Sequence, residues 1–543
     1  MNSLKPMLLT SLKSYDRTQF VKDVTAGIIV AIIALPLSIA LALASGVGPE
    51  AGIFTAIVAG FVISALGGSS VQIAGPTAAF ATIVAGIVAK AGLDGLVIST
   101  ILAGIFLILM GLCHFGSLIK FIPYTITTGF TSGIAVTIVI GQLKDFFRVT
   151  YPDGVKPIET TEKFKAFIEN ISTMNTAALI VGIVSLAILI ISPVIFKKIP
   201  GSLIAVIVGI LMVKFLPLKV STIGNLYTIS NSLPAFHLPA VNLHIIENAL
   251  PNAFTIAVLA AIESLLSCVV ADGMINGKHR SDMELVAQGA GNIASALFGG
   301  IPATGAIART AANIKNGGRT PVAGMVHSIT LVIVLVVLMP FAGMIPMPTI
   351  AAILFIVAYN MCQWRTFVHL IRTAPKSDII VLFATFILTI LFDLVVAIEI
   401  GMVLACLLFI KRMSEETNID GWTYVDDDTP DVDAHLKKLP LQIRVYEITG
   451  PLFFGAADAI EHIVVKDFTT CLVLRMRSVP AIDSTAMNAL FNLTKVCENK
   501  GITLVFSHVN EQPMKVMEKA GFVELVGREN FCPNISAALA HAE

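Results

Sequence analysis

The sequence predicts a polytopic α-helical membrane protein that ends in a small α/β domain, and three observations predict it. Apolar runs of roughly 20 residues, the length that crosses a bilayer, recur from Val24 to Arg412. Of the 543 residues, 56% are hydrophobic and only 13% charged, with mean hydropathy +0.86, where an ordinary soluble domain is ~25% charged. After Arg412 the pattern changes abruptly to short alternating strand and helix signals.

Net charge is zero, which gives no reason to expect a nucleic-acid partner. The seven cysteines (Cys113, Cys268, Cys362, Cys406, Cys471, Cys497, Cys532) lack Cys-x-x-Cys spacing. They read as small apolar fillers, so no disulfide framework, metal site or cofactor is expected. The first apolar run is long enough to span and is expected to remain in the membrane as a helix.

Residues 1–23 form a polar to amphipathic segment with Lys5, Lys13, Arg17 and Lys22. Positive charge beside a first span predicts a cytoplasmic N-terminus. Span one covers about 24–46, with Pro36 in its middle freeing a carbonyl. Span two covers about 50–67 and ends in Gly67-Gly68, and span three is short and broken, from Pro76 to about Lys90. Spans four and five fall at about 95–112 and 125–143, before a polar loop over 144–174 that contains Tyr151-Pro152-Asp153-Gly154. Spans six and seven, about 176–196 and 201–217, are separated by Lys197-Lys198. Seven crossings, an odd number, reverse the direction of the second half of the chain.

After a non-spanning stretch, about 218–250, the pattern begins again. Span eight, about 251–272, matches span one at an offset of 227: Ala26 meets Ala253, Ile29 meets Ile256, Ala34 meets Ala261 and Gly46 meets Gly273. The same offset sets Thr77 on Thr304, Ala79 on Ala306 and Ala81 on Ala308. Colinear matches of this kind predict two seven-span repeats of opposite orientation, about 24–217 and 251–412. Spans nine to fourteen fall at about 284–298, 305–316, 320–340, 348–361, 378–393 and 395–411. Basic groups at Lys278 and Arg280, Lys315 and Arg319, Arg365, Arg372 and Lys376, and Lys411-Arg412 then share the cytoplasmic side.

An acidic linker, 413–436, carries Asp426-Asp427-Asp428. The C-terminal domain, 437–543, reads as strands at 441–448, 471–476 and 502–507 and helices at 456–464, 485–499 and 511–520.

Candidate chemistry concentrates in two stretches, 73–82 and 299–310, where Gly and Pro interrupt membrane-type runs. The first turn of a helix leaves backbone N–H groups unpaired and carries about half a positive charge, so two starts facing each other would hold an anion. The small residues Ala78, Ala79, Gly305 and Ala306 permit close approach to backbone, and Phe80 and Ile307 would be apolar walls. Thr77 and Thr304 would each cap a helix start or donate a hydroxyl. The competing reading is a glycine-containing packing interface between ordinary helices.

Arg309 is costly in a membrane span and needs a partner or a wet cavity. It reads as an attractor for the anion, as a structural pair for a carboxylate such as Glu263, or as both. Glu263, the sole acid in the apolar body of span eight, reads as a proton site, a Na+ ligand or a structural hydrogen-bond partner. Asp272 belongs to an interfacial polar cluster by position, Asp393 and Glu399 mark an extracellular turn, and His114, His327 and His369 read as interface or packing residues. In the tail, Asp483-Ser484-Thr485 sits at a strand-to-helix turn, as a helix cap or a phosphorylation site.

Several of these stretches together are similar to the SulP family of anion permeases, which includes bacterial sulfate and bicarbonate transporters and animal prestin and pendrin. The resemblance rests on Ala34-Leu35-Pro36, Gly75-Pro76-Thr77-Ala78-Ala79-Phe80, Ala261-Ile262-Glu263-Ser264-Leu265, Ala271-Asp272-Gly273 and Pro302 to Thr310. The tail resembles a STAS domain through Gly450 to Ala456 and Asp483-Ser484-Thr485. Leu37 stands where many relatives carry Gln, and Ala486 where regulatory STAS proteins carry Gly. The resemblance implies the seven-plus-seven inverted repeat of uracil permeases, a core and a gate domain, an anion bound between the starts of spans three and ten, and a homodimer. It also ties the span-eight acid, here Glu263, to cation coupling, and leaves room for a soluble partner of the STAS domain.

The expected activity is secondary active transport of a small inorganic anion, sulfate first, coupled to protons through Glu263. Bicarbonate with Na+, or a C4-dicarboxylate, is the alternative, and a nucleobase permease on the same fold is more distant. The sequence offers no nucleophile–base set, metal cluster or phosphate loop, so an enzyme is not expected.

Overall fold

The computed structural model describes residues 4–117, 122–152, 154–155, 157–195, 200–216, 219–239, 243–392, 394–421, 440, 442–455, 457, 460, 463 and 468–543. Asp153, Lys197-Lys198, Asp393, the acidic run 426–428 and most of the expected helix 456–464 lie outside them. The chain divides into two compact units, Met1–Met402 and Val403–Glu543.

In the first unit a one-turn helix α1 (Met7–Ser11) precedes α2 (Arg17–Ala44), α3 (Pro49–Leu66) and α4 (Ala78–Leu112). Then come α5 (Tyr124–Phe147), α6 (Thr160–Asn170), α7 (Thr176–Ile195), α8 (Gly201–Phe215) and the short α9 (Ile223–Leu226). The second half holds α10 (Leu243–Ile275), α11 (Ser281–Leu297), α12 (Ile307–Lys315), α13 (Val322–Ala342) and α14 (Met347–Cys362). It continues through α15 (Trp364–Thr373) and α16 (Lys376–Leu391), and α17 (Leu394–Glu415) contains the boundary between the two units. Two-residue strands β1 (Ala74–Gly75) and β2 (Thr304–Gly305) stand directly before α4 and α12. Among the described residues, eight helical stretches are long and apolar enough to cross a membrane.

The division between spans three and four is as expected, because α4 is broken at Gly92, whose φ of 69° and ψ of −169° are not helical and whose φ a side chain would resist. Other elements differ from the expectation. The polar loop 144–174 contains α6, started by a capping box between Glu159 and Glu162 that a search for Ser or Thr caps misses. Helix α10 begins eight residues before the expected span, at Leu243, and carries Pro251 within it. An additional helix, α15, connects α14 and α16.

The helices pack in two groups. Helices α2, α3, α4, α10, α11, α12 and α13 pack together, and α5, α7, α8, α14 and α16 form the other group. Small residues allow the closest crossings, as is common where no water drives helices together. Gly104 of α4 and Gly289 of α11 lie so close that a Cβ on either would strike the other's carbonyl oxygen.

The second unit is a five-stranded sheet in the order β3 (Asn418–Gly421), β4 (Ile443–Thr449), β5 (Cys471–Ser478), β6 (Thr503–Ser507) and β7 (Phe531–Cys532). Only β3–β4 is antiparallel. Alternate residues feed two cores. Leu472, Leu474, Leu504 and Phe506 pack with the helix Ser484–Asn499 on one face, and Val445, Val473 and Val505 pack with Ile535, Ala538 and Leu539 on the other. The expected linker 413–436 begins differently, because α17 runs to Glu415 and residues 418–421 pair with β4. The mostly exposed β3 has no alternating apolar pattern to announce it.

Replacing Gly104 by Leu should force α4 and α11 apart at a cost of about 1–3 kcal/mol or more. A lowered melting temperature of the detergent-solubilised protein, read by size-exclusion after heating, is the expected outcome. An unchanged melting temperature would mean that the crossing tolerates a wider spacing.

Candidate functional site

Breaking a helix inside a membrane exposes backbone N–H and C=O groups that lipid cannot satisfy. At residues 301–305 side chains from other helices satisfy them. Ile301 N–H donates to Thr55 Oγ1 of α3 at 2.7 Å, and its carbonyl accepts from Ser295 Oγ of α11 at 2.8 Å. Asn292, also on α11, accepts from Ala303 N–H at 2.8 Å and donates to the Ala303 carbonyl at 2.9 Å. Gly305 N–H donates to Ser264 Oγ of α10 at 3.1 Å.

The other break is held in the same way. Glu284 of α11 accepts from the N–H groups of Gly68 and Ser69, at 2.9 and 3.2 Å, and from the side-chain amides of Gln72 and Gln288, at 2.8 and 2.9 Å. Helix α12 contributes Asn313, which donates to the Val71 carbonyl at 2.9 Å, and Thr310 Oγ1, which accepts from Ile73 N–H at 3.1 Å. Glu284, Gln288, Asn292 and Asn313 are all buried.

Strands β1 and β2 then pair antiparallel, Ala74 with Gly305 and Gly75 with Thr304. The pair places the starts of α4 and α12 on either side of a two-residue ladder. Thr77 caps α4 by position and Ala306 caps α12, and neither start has a side-chain cap hydrogen bond. Thr77 Oγ1 donates instead to Glu263 Oε2 of α10 at 3.0 Å.

The paired roles expected for Thr77 and Thr304 therefore divide. Thr304 is fully buried in β2, its hydroxyl 2.6 Å from Ser264 Oγ, and it caps nothing. At this point the helix starts lie two residues out of the 227-residue register, because Ala78 begins α4 and Ile307 begins α12. Ala79 and Phe80 are also fully buried, so Phe80 is enclosed by protein and lines no open surface. Ile307 is 42% exposed, and Thr77, Ala306 and Glu263 are partly exposed beside it. Ala78 and Gly305 are buried just behind.

Arg309, in the first turn of α12, is 1% exposed. Its Nη2 donates to Ser38 Oγ of α2 at 3.2 Å and to the Pro76 carbonyl at 3.4 Å. Its Nη1 lies against Gly75, where a Cβ would collide with it. No carboxylate pairs with it among the described residues, and Nε and Nη1 have no protein partner. The pair with Glu263, one of the two readings of Arg309, is therefore not formed, since the Glu263 carboxylate faces Thr77 instead. Among the described residues, therefore, no carboxylate compensates the charge of Arg309.

Two buried polar residues near this region carry no sequence signal for it. Glu284 stands in the polar first turn of α11, where acids at helix starts are ordinary. His327 of α13, expected as a packing residue, is fully buried with neither ring nitrogen bonded to protein. Asp272 does lie in a polar cluster, 2.7 Å from His279 Nδ1.

Residues 20–385 match the model of the sulfate permease family. The chain belongs to that family. Residues 437–538 match the STAS domain. YvdB of Bacillus subtilis, whose name provisionally assigns it to sulfate transport, is 39% identical over 96% of this chain and 97% of its own. The bicarbonate transporter BicA of Picosynechococcus is 31% identical over 96% of this chain and 94% of its own. Among solved structures, the transmembrane domain of a cyanobacterial BicA covers 72% of this chain and 98% of its own, with a TM-score of 0.62 and 28% identity. The murine Slc26a9 anion transporter in its inward-facing state covers 99% of this chain and 94% of its own at a TM-score of 0.88, with 19% identity. The fold is thus a multi-span helical membrane region followed by a STAS domain. The family and its members are transporters, not enzymes.

Glu284→Ala should leave four buried donors without an acceptor, at about 1–3 kcal/mol each before relaxation. A clear drop in melting temperature of the intact protein is expected, with a smaller drop for Glu284→Gln. Equal, negligible effects of both would remove Glu284 from the support of the break.

Proposed function

We propose that this protein is a secondary active transporter of a small inorganic anion, sulfate first, driven by protons bound at Glu263. One observation carries the reading: the uncapped starts of α4 and α12 flank β1–β2 above an Arg309 that no carboxylate neutralises among the described residues. Thr77, Ala78, Ala79 and Phe80 on one side, and Thr304, Gly305, Ala306, Ile307 and Arg309 on the other, would form the anion site and its immediate support. Backbone N–H groups at the two starts and the helix dipoles attract negative charge. Arg309 adds a full positive charge in a setting poor in water, where it counts for more.

Glu263 gives the coupling a hydrogen-bond logic. Ionised, it can only accept, and it holds the Thr77 hydroxyl as a donor. Protonated, it can donate to Thr77 and free that hydroxyl's proton to turn toward an anion. Proton binding would thus remove a negative charge from the site and supply a donor to the substrate together.

The transport cycle would be alternating access, with the group containing α4, α10 and α12 carrying the anion past the group containing α5 and α14. The two breaks would be equivalent elements of an inverted seven-plus-seven repeat. The working unit would be a homodimer in the cell membrane with both termini cytoplasmic, and the STAS domain would be open to a soluble partner. Bicarbonate is the second reading, favoured by the similarity to BicA.

Uptake of radiolabelled sulfate into proteoliposomes, with and without an inward proton gradient, tests the proposal directly. Gradient-driven accumulation is expected, and no sulfate flux under any gradient would sink the sulfate assignment. Glu263→Gln should abolish proton-driven accumulation while anion binding stays measurable. Normal pH-dependent uptake by that variant would refute coupling at Glu263. Arg309→Ala should weaken binding of divalent anions at least about tenfold more than that of monovalent ones, the equivalent of about 1.4 kcal/mol. Equal affinities in variant and parent would confine Arg309 to structure.

A further inference from the structure

The helix α15 joins α14 to α16 across Trp364–Thr373, within the membrane unit. Its residues divide sharply. Phe367, Leu370 and Ile371 are half-buried on one face, and Phe367 packs edge-on against Phe383 and at a tilt against Phe386, both of α16. Arg365, His369 and Arg372 are exposed and fall at helical spacing on the opposite face, and Lys376, the first residue of α16 after the extended Ala374-Pro375, is exposed as well. Among the described residues none of the permanent cations Arg365, Arg372 and Lys376 has a carboxylate within ion-pair distance. Arg365 instead lies 5.6 Å from the centre of the Trp364 ring, and the indole N–H donates to the Tyr359 hydroxyl at 3.1 Å. Tyr359 and Trp364 are themselves exposed.

An apolar face packed toward a span, a tryptophan–tyrosine pair beside it, and an uncompensated basic row opposite are together the composition of a helix lying in the bilayer surface. Basic residues at that level attract acidic lipid headgroups rather than zwitterionic ones. We infer that α15 is a binding surface for anionic phospholipid headgroups, with Arg365, Arg372 and Lys376 holding the phosphates and Trp364 seated at the headgroup level. Helices α14 and α16 both pack on α5, so lipid held here would fix that helix group to the bilayer surface.

The chain has two tryptophans, Trp364 and Trp422, so a Trp422→Phe version of the full-length protein reports on Trp364 alone. It would be reconstituted in nanodiscs of phosphatidylcholine with a fixed fraction of brominated lipid, either phosphatidylglycerol or phosphatidylcholine. Quenching of Trp364 about twofold stronger by brominated phosphatidylglycerol is expected. The combined substitution Arg365→Gln, Arg372→Gln, Lys376→Gln should equalise the two lipids, and Arg→Lys exchange at 365 and 372 should keep the preference in a folded control. Equal quenching by both lipids in the parent would overturn the inference, as would absence of quenching by either. Loss of the preference on adding excess glycerol phosphate would also overturn it, since the row would then take soluble anions and not a lipid surface.

Discussion

The structure depends on one constraint: chain that is neither helix nor closed sheet, set among membrane helices, must have its backbone polar groups satisfied from within the protein. Residues 301–305 and 67–75 are such chain. Thr55, Ser264, Asn292 and Ser295 serve the first, and Glu284, Thr310 and Asn313 serve the second. These side chains come from α3, α10, α11 and α12, so the breaks can exist only where those helices converge. The polar residues of this helix group are therefore first a requirement of folding. Only the atoms left over are available to a ligand.

The atoms left over are informative. Every backbone donor that points into protein at residues 301, 303 and 305 has a partner, while the first turns of α4 and α12 lack side-chain caps. Thr77 has the chemistry of a cap but directs its hydroxyl to Glu263. A single buried guanidinium with two nitrogens free of protein partners sits below. Such an arrangement is unfavourable for stability alone, since a side-chain cap contributes roughly 1 kcal/mol and is absent from both starts. The balance changes if an anion completes the arrangement, because the same groups then hydrogen-bond the ligand when it is present.

Much of this is legible in the sequence, and the illegible part has physical causes. Long apolar runs and the basic residues between them reveal spans because bilayer thickness fixes their length. Gly-Pro and Gly-Ile-Pro interruptions reveal the breaks, and a lone arginine or glutamate in an apolar run reveals itself by its cost. Register is less visible. Thr304 looks like the counterpart of Thr77 because both precede an Ala-rich turn, yet the strand pairing moves the true helix start to Ile307 and turns Thr304 toward Ser264. An Arg309–Glu263 pair is reasonable from sequence because both are costly charges, and only three-dimensional placement assigns Glu263 to Thr77. Glu284 is hidden by its ordinary place in a polar first turn, and β3 by the absence of any alternating pattern.

The two halves of the proposed site are not chemically equivalent, and the difference bears on how a transporter on this plan would work. The α4 side offers a hydroxyl tied to a carboxylate, a contact that changes when one proton binds. The α12 side offers Arg309, whose charge does not change over any ordinary pH, held by Ser38 and the Pro76 carbonyl. One side would thus supply constant attraction and the other a conditional contact. Under the proposed function, an anion arriving without a proton meets Arg309 and the helix dipoles but also the negative Glu263. An anion arriving with a proton meets attraction from both sides. Coupling then needs no long-range signal, because the proton and the anion share Thr77 as a common neighbour.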